Sequence, residues 1–171
     1  MHTQIKDQII VNAPASKSWR ILAHEFDNID RWSSGIAESK PLIELSIPDG
    51  ANVGGRVCLS DGIGGDVEEA FTYYDEHEMR FGYKGLGELP LFMKSAENNW
   101  AVHAIDSNTS KVEFRAEVEI ATLPALFMMP LMPILKKVLG TRTLEELKHY
   151  IENDTPHPRK LKSQQKQAII P

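Results

Sequence analysis

The sequence predicts one α+β domain in which a curved antiparallel sheet of seven strands surrounds a long C-terminal helix. Short segments in which apolar and polar residues alternate fill most of residues 4–120, a pattern typical of antiparallel strands. Two short helical segments interrupt this pattern after the first strand. Apolar residues then recur at helical spacing over 134–153, which predicts the long helix.

The first strand is predicted at 4–12, where Ile5, Ile9 and Val11 are apolar. Pro14 suits the first turn of a helix, because the N–H that proline lacks would be unpaired there in any case. A helix is therefore predicted at 15–24, followed by a short second helical turn at 28–32.

The middle of the chain alternates extended segments with turns. The predicted strands are 36–47, 53–60, 67–74, 79–84, 93–105 and 109–120. The last of them has the cleanest pattern, with Val112, Phe114 and Ala116 separated by charged residues. Such a strand has one face buried and the other in water.

The C-terminal region is predicted to be helical after Pro130 and Pro133, which interrupt a regular helix. Thr143 and Glu146 have the spacing of a capping box, which would start a new helix after a break at Gly140. The alternative is one continuous helix that carries Gly140 on its buried face. Residues 1–153 are then the domain, and 154–171 are predicted to be a polar, disordered tail.

Composition excludes several classes of function. The net charge of −5 argues against nucleic-acid binding, which needs a clustered basic surface. A single cysteine, Cys58, excludes an intramolecular disulfide and favours a cytoplasmic setting. No apolar run reaches the roughly 18 residues of a transmembrane helix. Neither metal-ligand spacing of histidines nor a phosphate-binding glycine motif is present, so no metal or cofactor is expected.

Glu69 is the most informative polar residue of the sequence. It shares one strand face with Val67, Phe71 and Tyr73. If that face points towards the helix, the carboxylate enters an apolar cavity, which is costly unless it is paired or hydrated. Glu69 would then anchor a ligand hydroxyl or donate a proton. In the alternative register Glu69 lies in solvent beside Glu68.

Further residues are predicted to face the same cavity because they are apolar or aromatic and lie on the predicted inner faces of strands or helix. Each has an alternative role in ordinary core packing. Gly140 is included because a missing side chain leaves space opposite the sheet. The predicted cavity residues are Leu59, Glu69, Phe71, Tyr73, Phe81, Tyr83, Trp100, Phe114, Gly140 and Leu144.

The order of elements and several short motifs resemble a known superfamily. The motifs are IVNAPA at 10–15, FDNIDRW at 26–32, VGGR at 53–56 and LEELKHYI at 144–151. Over about 3–153 the chain resembles the Bet v 1-like, START-like superfamily, in particular its polyketide cyclase/dehydrase and lipid-transport branch. The resemblance implies a helix-grip fold and a cavity for a hydrophobic small molecule.

The layout is also similar to that of the plant abscisic-acid receptors of this superfamily. The similarity implies two loops that gate the cavity, with Glu69 matching the receptors' pocket acid. The implied gate residues are Asp61, Gly62, Gly64, Gly65, Gly85, Gly87 and Pro90. The second loop lacks the receptors' His-Arg pair, and Ala37 stands where they have a carboxylate-binding lysine, so hormone sensing is not expected.

Three functions are consistent with the sequence. The favoured one is binding of a lipid, isoprenoid or polyketide-like molecule in the cavity. The second is a cyclase, aromatase or dehydratase in which Glu69 acts with Tyr83 or Tyr73, although the sequence names no clear second ionisable partner. The third is an interaction module, in which the Met-rich segment 123–139 contacts a membrane, another protein or a second copy of the chain.

Overall fold

The computed structural model describes residues 2–60, 66–87, 93–120 and 137–167. The strands are β1 (His2–Val11), β2 (Ile36–Pro41), β3 (Gly55–Ser60), β4 (Val67–Asp75), β5 (Arg80–Leu86), β6 (Met93–Asp106) and β7 (Thr109–Ile120). They form a seven-stranded sheet in the order β1-β7-β6-β5-β4-β3-β2, with antiparallel neighbours throughout. The predicted seven-stranded antiparallel sheet is confirmed.

Along the chain, one group of helices follows β1 and another follows β7. Helix α1 (Ala15–Trp19) continues through a π-helical turn, Arg20–His24, and a 3-10 helix spans Phe26–Arg31. These are the predicted helical pair after β1. A second π-helical turn, Lys137–Arg142, runs into helix α2 (Thr143–Asn153), and helix α3 (Pro158–Gln167) follows.

Gly140 lies within a continuous helix rather than at a break. Arg142 has helical backbone angles, φ −65° and ψ −43°, so the π-helical turn and α2 form one helix. A Cβ atom added to Gly140 would lie 3.2 Å from Oδ2 of Asp7, which also accepts a hydrogen bond from the Thr141 hydroxyl at 2.8 Å. Asp7 therefore occupies the space beside Gly140 that was predicted to be part of the cavity, and the prediction for Gly140 is wrong.

A β-bulge in β4 changes which tyrosine faces inward. Phe71 pairs with Tyr83, but the next pairs are Tyr73 with Gly82 and Tyr74 with Phe81. The extra residue turns Tyr73 to the outer face, where its side chain is 44% exposed, and brings Tyr74 inward. The prediction that Tyr73 lines the cavity is therefore wrong, because strict alternation does not continue through a bulge.

The faces of β3 are also the reverse of the prediction. Arg56 and Cys58 are buried at 4% exposure each, and Leu59 lies between the inward positions of this strand. Because successive side chains of a strand point to opposite faces, Leu59 points away from the cavity. The apolar residue was expected inside, but a buried arginine takes that face.

The tail predicted to be disordered contains helix α3, Pro158–Gln167. Lys160 of this helix is fully buried. The prediction of disorder is wrong for these residues. A polar sequence pattern does not show that a lysine in it will be buried and hydrogen-bonded in the folded protein. Among the described residues, no helix is both long and apolar enough to cross a membrane.

The apolar core lies between the concave face of the sheet and the helices. Leu144, Leu147 and Ile151 of α2 are almost completely buried, as the helical stripe in the sequence predicted. Trp19, Phe26 and Phe81 form the centre of an aromatic cluster at the α1 end of the sheet, including ring contacts at 5.7–5.8 Å. Only about 10 Å³ of space is left beside this cluster, so that end of the fold is closely packed.

Candidate functional site

A cavity of about 200 Å³ lies between the sheet and the start of α2. Every strand from β2 to β7 contributes to its wall, as do the 3-10 helix and the loop that follows it. The lining residues are Ile29, Ser33, Ile36, Arg56, Cys58, Glu69, Tyr83, Asn98, Trp100, Phe114 and Thr143.

Four of the predicted cavity residues line this space: Glu69, Tyr83, Trp100 and Phe114. The rings of Trp100 and Phe114 lie 4.7 Å apart between centroids and form an apolar wall. Their roles in binding stay predictions. The structure places these four side chains on the wall of the cavity.

Three other predicted residues lie in the core beside the cavity rather than on its wall. Phe71 packs against Phe26 with 4.3 Å between ring centroids. Phe81 and Leu144 are each 1% exposed within the core cluster. Sequence pattern identifies inward-facing residues, but it does not distinguish those that touch empty space from those that fill it.

The predicted gate loops fall largely on residues outside the described ranges. Asp61, Gly62, Gly64, Gly65 and Pro90 belong to this group. Gly85 lies at the end of β5, and Gly87 has a positive φ of 90°, which suits glycine. Most of the Met-rich segment, 123–136, is also outside the described residues, and 137–139 belong to the π-helical turn.

Glu69 is paired with a buried arginine. Glu69 and Arg56 are directly opposite each other on β4 and β3. Both Nε and Nη2 of Arg56 lie 2.6 Å from Oε2 of Glu69. Nη1 donates to the Phe26 carbonyl at 2.8 Å, and the guanidinium carbon lies 3.9 Å from the centre of the Phe26 ring. The pairing satisfies both charges, which an apolar environment requires.

All of the contacts to Glu69 described above fall on one oxygen. The thiol of Cys58 also lies 3.8 Å from Oε2, within the range of a weak sulfur hydrogen bond. The hydrogen bonds from Arg56 and Cys58 are both made to Oε2 and not to Oε1. This second oxygen is therefore the acceptor that Glu69 can offer to a molecule in the cavity.

The protonation of the neighbouring groups follows from their burial. Burial alone would lower the pKa of the Arg56 guanidinium, but the adjacent Glu69 carboxylate outweighs that effect and raises it. Burial raises the pKa of the Tyr83 phenol, and the negative charge of Glu69 raises it further. Burial also raises the pKa of the Cys58 thiol. At neutral pH the cavity thus combines a fixed cation with a neutral phenol and a neutral thiol.

Seven lining residues were not predicted from the sequence: Ile29, Ser33, Ile36, Arg56, Cys58, Asn98 and Thr143. For Arg56 a signal was available, because an inward carboxylate on one strand needs a cationic partner, and Arg56 is the basic residue on the preceding strand. For Asn98 in β6 and Thr143 at the start of α2, the surrounding sequence pattern does not distinguish a cavity position from a surface position. Among the described residues, no group of three or more histidine, cysteine or acidic side chains could hold a metal ion.

A second hollow, of about 500 Å³, lies beside β1 and β7. Its lining is mostly charged or polar, with Phe114 as the apolar member: Lys6, Asp7, Gln8, Glu113, Phe114 and Arg115. Residues from both faces of the two strands contribute to it, as expected of a surface depression. The smaller hollow between sheet and α2 is the better candidate for binding an apolar molecule, because Tyr83, Trp100 and Phe114 contribute three aromatic rings to its lining.

Comparisons with known proteins give the same fold. Residues 2–152 match a family model described as polyketide cyclase / dehydrase and lipid transport. A comparison with curated proteins found no match.

Solved structures of several named proteins are similar. The di-domain ARO/CYC BexL from the BE-7585A biosynthetic pathway has a TM-score of 0.69 and 16% identity, covering 88% of this chain and 46% of BexL. This chain thus spans about half of the BexL chain. Norcoclaurine synthase from Thalictrum flavum has a TM-score of 0.66 and 13% identity over 90% of this chain and 88% of the synthase. Ara h 8.0201 has a TM-score of 0.64 and 13% identity, covering 88% of this chain and 98% of its own.

Proposed function

The chain belongs to the polyketide cyclase/dehydrase and lipid-transport family of the Bet v 1-like superfamily, and from that premise we propose that it binds a compact, mainly apolar molecule carrying a hydroxyl group. The binding site is the cavity between the sheet and α2. Its volume of about 200 Å³ sets the size of the ligand. An engineered protein cavity of about 150 Å³ holds benzene, whereas pockets for drug-sized ligands measure roughly 300–1,000 Å³. A ligand of one or two rings is therefore favoured.

The observation that carries the proposal is the way Arg56 holds Glu69. Nε and Nη2 of Arg56 both lie 2.6 Å from Oε2, and the hydrogen bond from Nε is made to Oε2 rather than to Oε1. Because Oε1 is an acceptor, it suits a ligand group that donates, such as a hydroxyl. The cation beside it balances the charge of Glu69, which favours a neutral ligand over a cationic one.

The apolar walls supply the affinity and the polar groups supply the orientation. Burial of apolar ligand area against Trp100, Phe114 and Ile29 contributes about 25 cal/mol per Å². The neutral Tyr83 phenol and the Asn98 amide provide further polar contacts on the wall. Such a division of roles is typical of small-molecule sites.

The test is a fluorescence titration with 2-naphthol, a two-ring aromatic alcohol, together with native mass spectrometry of freshly purified protein. Ser33→Trp introduces a large side chain at the cavity wall, and Ser46→Trp introduces the same side chain at an exposed position. We expect the unsubstituted protein and Ser46→Trp to bind 2-naphthol, and Ser33→Trp to bind it at least about tenfold more weakly. Equal binding by both variants would place the probe outside the cavity and contradict the proposal.

A second candidate function is catalysis, which one observation favours. Glu69 and Tyr83 line the same cavity, and the Tyr83 phenol stays protonated because burial raises its pKa. Glu69 would accept a proton from the carbon next to a ketone, and Tyr83 would hydrogen-bond the carbonyl oxygen as it becomes an enolate. Arg56 is unsuited to proton transfer because its pKa is raised.

This second candidate predicts deuterium exchange at the α-carbons of 2-tetralone in D₂O, followed by NMR. Catalysis requires the protein to accelerate exchange, and Glu69→Gln to abolish that acceleration. A protein that binds 2-naphthol and leaves the exchange rate of 2-tetralone unchanged is a binding protein for this class of molecule.

A further inference from the structure

Helix α3 lies beyond the residues that match the family model, 2–152, and is attached to the wall of the cavity. We propose that α3 is a clasp that holds the segment 33–36 in place and thereby controls how fast a ligand enters and leaves. The inference rests on the proposed function, because it concerns access to the same cavity. Ser33 and Ile36 of this segment line the cavity directly.

The first contact of the clasp is made by Lys160. This side chain is fully buried, and its Nζ donates a hydrogen bond to the Ile36 carbonyl at 2.6 Å. Burial of an ammonium group is costly unless hydrogen bonds or charges compensate for it. The position of α3 is therefore tied to the position of Ile36, since separating them would leave a charged group without this acceptor.

The second contact passes through Glu146 on α2, which is 3% exposed. Its Oε2 accepts the backbone N–H of Ser34 at 2.8 Å, and its Oε1 accepts the Ser34 hydroxyl at 2.8 Å. Nε of Arg159 on α3 donates to the same Oε1 at 2.7 Å. Arg159 thus holds the carboxylate that in turn holds Ser34.

The third contact completes the attachment of Ser34. The hydroxyl of Ser163 on α3 donates to the Ser34 carbonyl at 3.0 Å. Together with Glu146, this engages the N–H, the carbonyl and the hydroxyl of Ser34. Because Ser33 precedes it and Ile36 follows closely, the wall of the cavity moves only if these bonds to α2 and α3 are broken.

The test uses the full chain and compares three substitutions in α3. Lys160→Met keeps the length of the buried side chain but removes the donor to Ile36. Ser163→Ala removes the hydroxyl that donates to the Ser34 carbonyl and is the milder change if Lys160→Met fails to fold. Lys162→Met is the matched control, because Lys162 lies on the same helix and is exposed.

Two quantities are measured for each variant. The first is the hydrogen-exchange rate of the Ser34 amide without ligand, and the second is the dissociation rate of 2-naphthol by stopped-flow fluorescence. We expect Lys160→Met to raise both rates about tenfold and Ser163→Ala to raise both about threefold, with Lys162→Met unchanged.

Unchanged exchange at Ser34 in the two clasp variants would overturn the proposal, as would faster exchange with an unchanged dissociation rate. If the unsubstituted protein fails to bind 2-naphthol, the proposed function fails. The clasp is then decided by exchange alone, where faster exchange at Ser34 supports it and an unchanged rate overturns it.

Discussion

Two glutamates near the ends of one strand are used in opposite ways. Glu76, in the turn after β4, accepts hydrogen bonds from Trp19 Nε1 at 2.8 Å and the Tyr74 hydroxyl at 2.9 Å, both on Oε2. His24 Nε2 lies 3.0 Å from both of its oxygens. Both oxygens of Glu76 are thus engaged by the protein, whereas Arg56 engages only Oε2 of Glu69.

The difference teaches how to separate a structural carboxylate from a binding one. Glu76 links α1, the π-helical turn Arg20–His24 and β4, and it lies at the closely packed aromatic end of the sheet. Glu69 stands where the fold leaves a cavity. Hydrogen bonding is common to both residues, so it does not by itself identify a site. Glu69 differs because it lines a cavity and because the hydrogen bonds from Arg56 and Cys58 fall on Oε2 alone, which supports its proposed role in binding.

The largest expected effect comes from removing the partner of Glu69. Arg56→Met should destabilise the protein by about 3–5 kcal/mol, because it leaves a carboxylate beside apolar walls without its cation. Arg115→Met is the control, since Arg115 is exposed and pairs with Glu117 on the surface, and it should cost about 0–1 kcal/mol. Urea unfolding measures both. Equal losses would show that the Arg56–Glu69 pair behaves as a surface ion pair.

Glu76→Gln should lower stability by about 1.5 kcal/mol, since three donors lose a charged acceptor in a partly exposed site. It should leave 2-naphthol affinity unchanged, because Glu76 does not line the cavity. Urea unfolding and the fluorescence titration test the two statements. Weaker 2-naphthol binding would remove the contrast between the two glutamates.

The same substitution gives a pH dependence. Burial alone would raise the pKa of Glu76, but hydrogen bonds from Trp19, His24 and Tyr74 outweigh it and hold the pKa below its ordinary value of 4.5. The stabilisation is then complete above that value and is lost as pH falls through the lower pKa of the folded state. The stability difference between the original protein and Glu76→Gln should therefore shrink below about pH 4.5.

The smallest effect concerns the two tyrosines that accompany the glutamates. Tyr74→Phe removes a donor to Glu76 and should cost about 1 kcal/mol of stability without changing 2-naphthol binding. Tyr83→Phe removes the hydroxyl on the cavity wall and should weaken 2-naphthol binding about threefold. If Tyr74→Phe weakened 2-naphthol binding and Tyr83→Phe left it unchanged, the roles assigned to Glu76 and Glu69 would be wrong.

Most of the fold could be predicted from the sequence. Alternation in 109–120, Pro14 at the helix start and the stripe of Leu144, Leu147 and Ile151 depend on local periodicity, which a single sequence displays. Tyr73 was misplaced because a bulge adds one residue without a distinctive residue type. Helix α3 was missed because its attachment depends on the buried Lys160, a contact between residues distant in sequence.

The site was only partly predictable for the same reason. The inward position of Glu69 followed from strand alternation, although its partner Arg56 required knowledge of the pairing between β3 and β4. Gly140 was interpreted as empty space, but Asp7 from the other end of the chain lies against it. A cavity is the space left after all side chains have packed, and the local sequence pattern does not show where that space lies.

The most direct measurement compares 2-naphthol with naphthalene, which has the same rings and no hydroxyl, for the original protein and for Glu69→Gln. If Oε1 of Glu69 accepts the ligand hydroxyl, the original protein should prefer 2-naphthol, and Glu69→Gln should lose about tenfold of that preference while its affinity for naphthalene stays the same. Glu76→Gln should retain the full preference. An identical ratio of affinities in the original protein and Glu69→Gln would contradict the account.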